Sequence, residues 1–258
     1  MHIAIYQGRD DIVALLSPIS HLQARRNQFG LSPIEMANYL DRTAAAKILS
    51  ERHPVSFFEQ SNVIFEESGR IAELGGLDYL PNPVYATVET FRLLLSRTRK
   101  AKVADAIPAE KIWMGIYFDK EMQTGMHPKV SLQWLDHEIG FGLFAAQRIP
   151  SCSFVGEYTG VVSERRAAHV RGNNYCVRCT SWETGRKSFT IDATKRGNFT
   201  RFINHSAKPN LGLQSIYWRG LPRMIFISLQ EIAEGEQLMF DYGTSFWKDL
   251  NQVPKVLV

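Results

Sequence analysis

The sequence predicts an α+β protein in which helices come first and short strands follow. Two observations carry this prediction. Apolar residues recur at helical spacing in the first 50 residues, whereas short apolar runs between turn residues dominate after about residue 110. The chain has 258 residues, of which 45% are hydrophobic and 22% charged, so one or two domains can bury a core. It lacks an 18-residue apolar run and an N-terminal signal pattern, so we expect neither a membrane span nor secretion.

The first 50 residues contain an internal repeat. Ser32 can cap a helix whose first residue is Pro33, and Gly30 just before suits a left-handed turn position. Five apolar residues recur 33 positions later, with the i, i+3, i+4 spacing of an amphipathic helix, which predicts two helical hairpins in register. The pairs are Ile3 and Met36, Ala4 and Ala37, Ile12 and Ala45, Leu15 and Ile48, and Leu16 and Leu49.

The turn between these units resembles the ankyrin repeat, whose unit is also 33 residues long. Gly30-Leu-Ser32-Pro33-Ile34 is similar to that family's G-x-T-P-L-H-x-A motif, with Glu35 in place of the histidine. We therefore expect residues 1–53 to be partial ankyrin-like repeats. About one and a half units are present, whereas an isolated stack needs roughly three. Two interpretations stay open: the helices cap the next domain, or they form a partner-binding surface.

Residues 54–109 are expected to be a helical connector. Gly75-Gly76 and Pro81-Asn82-Pro83 interrupt it, and a helix is predicted from Val84 to Lys100. Its buried face would comprise Val84, Val88, Phe91, Leu94 and Leu95. Its basic end contains Arg97, Arg99, Lys100 and Lys102. Positive charge there complements the helix dipole, so a solvated helix end is favoured over nucleic-acid binding.

The second half of the chain predicts strands and contains one glycine motif. Gly140-Phe-Gly142-Leu-Phe-Ala145 fits the G-x-G-x-x-G/A pattern of dinucleotide-binding turns, but Pro150 follows too soon for the helix that such a turn must open. A strand turn or a close approach of backbone to a ligand is the better interpretation. The clearest strand runs are Ile112 to Phe118, Val130 to Leu135, Gly142 to Ala146, Phe154 to Tyr158 and Met224 to Ser228.

Four segments in this order and spacing resemble the SET-domain family of protein lysine methyltransferases. They are Gly140 to Ala145, Gly156-Glu-Tyr158-Thr-Gly160, Arg201-Phe-Ile-Asn204-His205-Ser206-Ala-Lys-Pro209-Asn210, and Gly235-Glu-Gln-Leu-Met-Phe240-Asp-Tyr242-Gly243. The resemblance implies a SET domain at 110–243 and a short C-terminal segment at 244–258. It also implies small curved sheets and a pseudoknot that brings Asn204-His205 next to Tyr242. The implied cofactor is S-adenosylmethionine, and the implied substrate is a lysine of another protein.

The resemblance also implies roles for individual residues. Tyr242 and Tyr158 would be catalytic, and Phe240 would set how many methyl groups are added. The expected substrate channel comprises Phe240, Tyr175, Phe246 and Trp247. The expected cofactor contacts are Gly140, Phe141, Gly142, Arg201, Asn204, His205 and Tyr242. Phe246 and Trp247 either close the channel or simply pack.

Elementary chemistry agrees with an aromatic site. Methyl transfer from a sulfonium to an amine is an in-line displacement, so the enzyme must align donor and acceptor and supply a neutral amine. The pKa of lysine in water is about 10.4, and an apolar channel lowers it because burial disfavours the ammonium form. Aromatic rings and hydroxyls, rather than a metal or a strong base, are the expected groups.

The chain has only 3 cysteines, which favours a reducing intracellular compartment. Cys176-x-x-Cys179 with Cys152 falls short of four zinc ligands, so no metal is expected and two cysteines on a strand or turn are the better interpretation. Zinc clusters flank many SET domains, and the sequence indicates the cysteine-free variant instead. Ser163 to Phe189 is expected to be the variable insert. Acidic candidates for binding a basic histone tail are Asp136, Glu138, Glu157 and Glu183.

Two hypotheses follow from these observations. The first is a protein lysine methyltransferase acting on a histone, in the nucleus or possibly the cytoplasm, with an ankyrin-type module for a protein partner. The second is a non-catalytic adaptor that binds a protein; the presence of Tyr242 and Asn204 favours the enzyme. Ankyrin repeats and SET domains occur together in chromatin enzymes and in bacterial effectors that enter host cells. The missing zinc clusters favour the effector, which would act on host chromatin.

Overall fold

The computed structural model describes residues 1–27, 31–50, 62–66, 77–164, 172–180, 182, 188–244 and 246–247. Gly30, Gly75-Gly76 and Glu183 lie outside the described residues, as do about half of the predicted insert and most of the 244–258 segment. The helices are α1 (His2–Gln7), α2 (Asp10–Leu16), α3 (Ser20–Ala24), α4 (Pro33–Tyr39), α5 (Thr43–Leu49), α6 (Val88–Val103), α7 (Ala109–Tyr117) and α8 (Asp119–Thr124). None of these helices has the length and hydropathy needed to cross a membrane.

The predicted pair of helical hairpins is confirmed. Helix α5 repeats α2 at an offset of 33 residues, α1 packs against α4, and α2 packs against α5. Ser32 caps α4 as expected, because its hydroxyl accepts a hydrogen bond from the Glu35 amide at 3.3 Å. Glu35 reciprocates by accepting from the Ser32 amide at 2.7 Å, and Pro33 is the first helical residue.

Short strands dominate the rest of the chain, as the sequence predicts. They are β1 (Val63–Phe65), β2 (Asp78–Tyr79), β3 (Val84–Tyr85), β4 (Val130–Asp136), β5 (Gly140–Ala145), β6 (Phe154–Glu157), β7 (Val161–Glu164), β8 (Cys176–Cys179), β9 (Phe189–Asp192), β10 (Arg196–Gly197), β11 (Asn204–His205), β12 (Leu211–Trp218), β13 (Leu221–Ser228) and β14 (Met239–Phe240). They form small sheets with the orders β1-β4-β5, β10-β2, β11-β14-β12-β13-β6 and β3-β7-β9-β8. The G-x-G segment is strand β5, which excludes a dinucleotide-binding helix there.

The last strand lies between two earlier ones. Strands β11 and β12 are consecutive in the chain, yet β14 is inserted between them and pairs in parallel with both. Asn204 is paired with Met239, and His205 with Phe240. This is the order that the expected pseudoknot requires, and it brings Tyr242 beside the Asn204-His205 segment.

The predicted strand from Ile112 to Phe118 is wrong, because this run forms helix α7. Isoleucine and aromatic residues gave it a strand-like composition, and a short apolar run does not separate the two states. Tertiary packing decides: Gly115 faces β12 so closely that a Cβ atom would lie 2.0 Å from the carbonyl oxygen of Tyr217. A helix without a side chain at this position can rest directly on the strand.

The connector is only partly helical. Helix α6 begins at Val88, and the Thr87 hydroxyl caps it by accepting from the Thr90 amide at 3.1 Å. Val84 instead belongs to β3, which pairs in parallel with β7. Strands β1 and β2 likewise pair with β4 and β10, so this region contributes to the sheets of the C-terminal half.

Three arginines of the C-terminal half bind the helical hairpins. Arg196 pairs with Asp41 at 2.7 and 2.8 Å. Arg219 pairs with Glu35 at 2.6 Å. Arg223 is 1% exposed and forms a bidentate ion pair with Glu157, while its Nη1 donates to the hydroxyl of Tyr39 on α4. The buried apolar residues of both halves form one continuous core.

Candidate active site

Tyr242 is held by the segment that sequence analysis places beside it. Its backbone amide donates a hydrogen bond to Nδ1 of His205 at 3.2 Å, and its hydroxyl donates to the carbonyl oxygen of Ile203 at 3.0 Å. Ile203 and His205 flank Asn204, so the segment from Ile203 to His205 contacts Tyr242 at two points. Tyr242 is therefore fixed at its backbone amide and at its hydroxyl, and the lone pairs of the hydroxyl oxygen stay available to a ligand.

Tyr158 is fixed in a similar way. It follows strand β6, is 4% exposed, and donates its hydroxyl proton to the carbonyl oxygen of Tyr175 at 2.8 Å. The ring of Tyr175 makes a separate contact: the guanidinium carbon of Arg201 lies 3.8 Å from its centroid. Tyr175 thus orients Tyr158 through its backbone, while Arg201 braces the Tyr175 ring.

Both phenols are neutral hydroxyls at physiological pH. Burial raises the pKa of Tyr242 well above its usual value, and nearby Tyr175 raises it further. Burial likewise raises the pKa of Tyr158, with a further contribution from Tyr242. These groups can orient an amine and accept hydrogen bonds, but they do not act as phenolate bases.

A cavity of about 450 Å³ brings several predicted channel residues together. Tyr158, Tyr242, Phe240 and Phe246 all line it. Phe240 is 8% exposed, and its ring centroid lies 4.7 Å from that of Tyr242. Because two hydroxyls and two apolar rings face one space, the cavity can take a long apolar chain with a polar end.

Phe246 and Trp247 occupy different places. Phe246 lines the cavity, and its ring centroid is 4.6 Å from that of Tyr242. Trp247 lies outside the lining; it stacks on Tyr242 at 5.9 Å and packs on His205 at 4.9 Å. The position of Phe246 fits channel closure, whereas Trp247 packs behind the tyrosine. Tyr175 also lies outside the lining.

The glycine strand adjoins the Asn204 segment. The side-chain amide of Asn204 donates to the carbonyl oxygen of Phe141 at 3.1 Å, which joins β11 to β5. Gly140 has φ +80°, a left-handed conformation that favours glycine. At Gly142 a Cβ atom would lie 2.8 Å from Nε2 of Gln237 and 2.9 Å from Cδ1 of Leu135, so a side chain there requires these two side chains to move. These residues lie together but outside the cavity lining.

Asn210 and Arg223 are functional supports that sequence analysis missed. The side chain of Asn210 donates to the Gln237 carbonyl at 2.8 Å and accepts from the Met239 amide at 2.9 Å. It thereby holds the segment leading to Tyr242. Arg223 is the one charged residue in strand β13, which is otherwise mostly apolar. A single charged residue in such a strand indicates that an oppositely charged partner is buried beside it.

The cysteines do not form a metal site in the described part of the chain. Cys176 and Cys179 lie three positions apart on strand β8, so their side chains point to opposite faces, and the strand interpretation is confirmed. Burial raises the pKa of Cys179 to about 12, which keeps its thiol protonated. Cys152 is exposed. No group of three or more potential ligands occurs among the described residues.

Comparison with known proteins matches the segment that carries this site. Residues 140–243 match the family model described as SET domain. The match contains the glycine strand, both buried tyrosines and the Asn204-His205 segment.

The chain is similar to several curated histone-lysine N-methyltransferases. Human EHMT1 is 34% identical over 133 residues, which cover 50% of this chain and 10% of that protein. SUV39H2 of Xenopus tropicalis is 36% identical over 132 residues, which cover 48% of this chain and 32% of that protein. The chain therefore spans a third or less of the length of these relatives. A solved structure of ctPRC2 in an autoinhibited conformation bound to S-adenosylmethionine is 28% identical and covers 47% of this chain and 16% of its own, with a TM-score of 0.41.

Proposed function

We propose that this protein transfers methyl groups from S-adenosylmethionine to lysine side chains of a protein substrate. The observation that carries the proposal is that Tyr158 and Tyr242, whose hydroxyls are fixed by backbone carbonyls, line one cavity with Phe240. The four aliphatic carbons of a lysine fit apolar walls, and its amine needs acceptors at the end. The SET-domain match and the histone-lysine methyltransferase relatives support the same reaction.

The site's residues supply alignment and desolvation. The phenol oxygens of Tyr158 and Tyr242 accept hydrogen bonds from the amine and hold its lone pair in line with the incoming methyl group. The rings of Phe240 and Phe246 exclude water, which lowers the pKa of the lysine and favours the neutral, nucleophilic amine. Because the attacking amine is neutral, the product is a methylammonium, which would lose one N–H proton to solvent before a further transfer.

The residues present fit the cofactor. S-adenosylmethionine is rich in acceptors, namely a carboxylate, ribose oxygens and adenine nitrogens. Two buried donor atoms beside the tyrosines, Nε1 of Trp247 and Nε of Arg201, have no acceptor among the described residues. We assign the cofactor to the neighbourhood of β5 and β11, where Gly140 to Gly142, Asn204 and His205 would hold it. When bound, it supplies the electrophilic methyl group.

We assign residues 1–53 to ankyrin-type repeats, 54–109 to a connector, 110–243 to the catalytic domain and 244–258 to its closing segment. The 33-residue offset of α2 and α5 and the Ser32-Pro33 turn support the repeat assignment. Glu35, which replaces the motif's histidine, accepts hydrogen bonds from Ser32, Arg26 and Arg219 at once. Because Arg219 belongs to the SET domain, this replacement favours the helices as a cap of the catalytic domain over a free partner-binding surface.

A histone is the first substrate to test, since the relatives are histone-lysine methyltransferases. A nuclear site of action follows from that substrate. The interpretation as a bacterial effector acting on host chromatin stays a prediction, and recovery of the protein from host nuclei during infection would test it.

The alternative function is a non-catalytic adaptor that binds a protein through the same cavity. The two functions are separated by transfer of radiolabel from S-adenosylmethionine to histones and to a cell lysate. We expect the wild-type protein to label its substrate and the Tyr242→Phe variant to lose at least about tenfold of this activity. The Tyr117→Phe variant, whose altered ring is exposed on α7, should label as well as the wild type. Absence of label above Tyr242→Phe across these substrates would leave the adaptor as the function.

A further inference from the structure

The charged side chains around the cavity are mainly cationic. Among the described residues that line it, Arg178 and Arg201 are the cations and Asp241 is the one acid. Arg178 is exposed on β8, the last strand of its described sheet. Asp241 lies 3.7 Å from Nδ1 of His205, and its carboxylate accepts from the Gly243 amide at 2.8 Å. The carboxylate of Asp241 thus contacts its own loop, and Arg178 is exposed at its position in the lining.

A further cation, Lys111, contacts a residue of the cavity wall and also pairs with Glu110 at 3.4 Å. Nζ of Lys111 donates a hydrogen bond to Oε1 of Gln214 at 2.8 Å, and Gln214 lines the cavity. This contact occupies the amide oxygen of Gln214 and leaves its N–H groups as donors. Asn173 and Asn174 add amide donors on the side of β8. The cavity wall therefore presents hydrogen-bond donors and positive charge to the substrate residues on either side of the bound lysine.

Among the acids expected to receive a basic histone tail, the described ones do not line this wall. Glu157 is buried in its ion pair with Arg223. Asp136 lies in the turn after β4, where its carboxylate accepts from the amides of Glu138 and Ile139 at 2.8 and 2.7 Å. Neither Asp136 nor Glu138 lines the cavity. Glu183 lies outside the described residues.

From this distribution we infer that the preferred substrate lysine has an acidic residue beside it, and that Arg178 selects for that residue. The inference rests on the proposed function and names the substrate class of the same site. A carboxylate next to the lysine would meet the guanidinium of Arg178 and the amide N–H groups of Gln214. An arginine in that place would meet like charge, and repulsion of this kind is a source of specificity. One charge pair at contact distance in water corresponds to about a fivefold change in rate.

The test uses four peptides that differ only in the residues flanking a single lysine: aspartate, glutamate, alanine or arginine. For each peptide, kcat/KM is measured by radiolabel transfer and affinity by calorimetry, with wild type, Arg178→Gln and Arg178→Glu. Arg99→Glu is the matched control, because it makes the same charge change at an exposed position on α6, away from the cavity.

We expect wild type and Arg99→Glu to favour the acidic peptides over the arginine peptide by about fivefold or more. Arg178→Gln should abolish this preference, and Arg178→Glu should reverse it. A preference of the wild type for the arginine peptide, or an unchanged ratio in Arg178→Glu, would overturn the inference while methyl transfer stands. Acid-selective binding that depends on Arg178 without any label on any substrate would instead refute the proposed function and retain the charge selectivity.

Discussion

Replacing Tyr39 with Phe removes one buried oxygen atom from the contact between α4 and strand β13. Tyr39 is 1% exposed, and its hydroxyl accepts a hydrogen bond from Arg223, whose other hydrogen bonds go to Glu157 and, at 3.1 Å, to Asn82. A hydrogen bond to a charged group contributes about 1.5–3 kcal/mol, and its loss leaves one buried guanidinium N–H without an acceptor. We therefore expect the free energy of unfolding to fall by about 2 kcal/mol.

Thermal unfolding measures this loss. In a chain of this size, about 2 kcal/mol corresponds to a decrease in Tm of about 4–8 °C. The decrease should be the same at pH 6 and pH 8.5, because burial raises the pKa of Tyr39 to about 12 and keeps the phenol protonated across that range. Tyr117→Phe is the control; its side chain is exposed, and we expect a change of less than about 0.5 kcal/mol.

The Arg223 network also allows a stricter test by a double-mutant cycle. Arg223→Met leaves the Glu157 carboxylate buried without its counterion, so we expect a loss of about 3–5 kcal/mol. In that background Tyr39→Phe should cost little, since its donor is already gone. If Tyr39→Phe lowers Tm no more than Tyr117→Phe, or costs as much without Arg223 as with it, the hydrogen bond does not attach helix α4 to strand β13.

Two further predictions concern the product and the pH dependence of stability. Phe240→Tyr adds a hydroxyl beside Tyr242 and leaves less room for a methylated amine, so mass spectrometry should show a shift from di- or trimethyl-lysine to monomethyl-lysine; a wild-type enzyme that stops at monomethyl-lysine, with the variant alike, would contradict this. Burial lowers the pKa of His127 below 6.5, so the unfolded chain takes up the proton first and stability is lost as pH falls below about 6.5. His127→Phe should therefore reduce the drop in Tm between pH 7 and pH 5. An equal drop in the variant and the wild type would show that His127 is not the cause of the loss of stability.

The candidate site was predictable because its residues lie in compact motifs. The motif order placed Tyr242 beside Asn204-His205, and the structure has this contact at 3.2 Å. Pro150 ruled out a long helix after Gly140, and the segment is indeed strand β5. The roles of these residues in catalysis and cofactor binding stay predictions.

Prediction failed where the local pattern was compatible with two states. Ile112 to Phe118 has the composition of a strand, yet it forms α7 because Gly115 rests on the backbone of β12. Val84 continues the apolar pattern of α6 but pairs with β7 instead. In both places the deciding partner lies far along the chain.

The sequence by itself determined the two helical hairpins, the change from helices to short strands along the chain, and the motifs that resemble a SET domain. These features depend on residues that are neighbours in the chain, such as Ser32 with Glu35, or on compact motifs. Only the tertiary structure decided how the halves are joined and which charges surround the cavity. Tyr39 and Arg223 are 184 positions apart, and a buried charge can be matched to its partner only when the path of the chain through space is known.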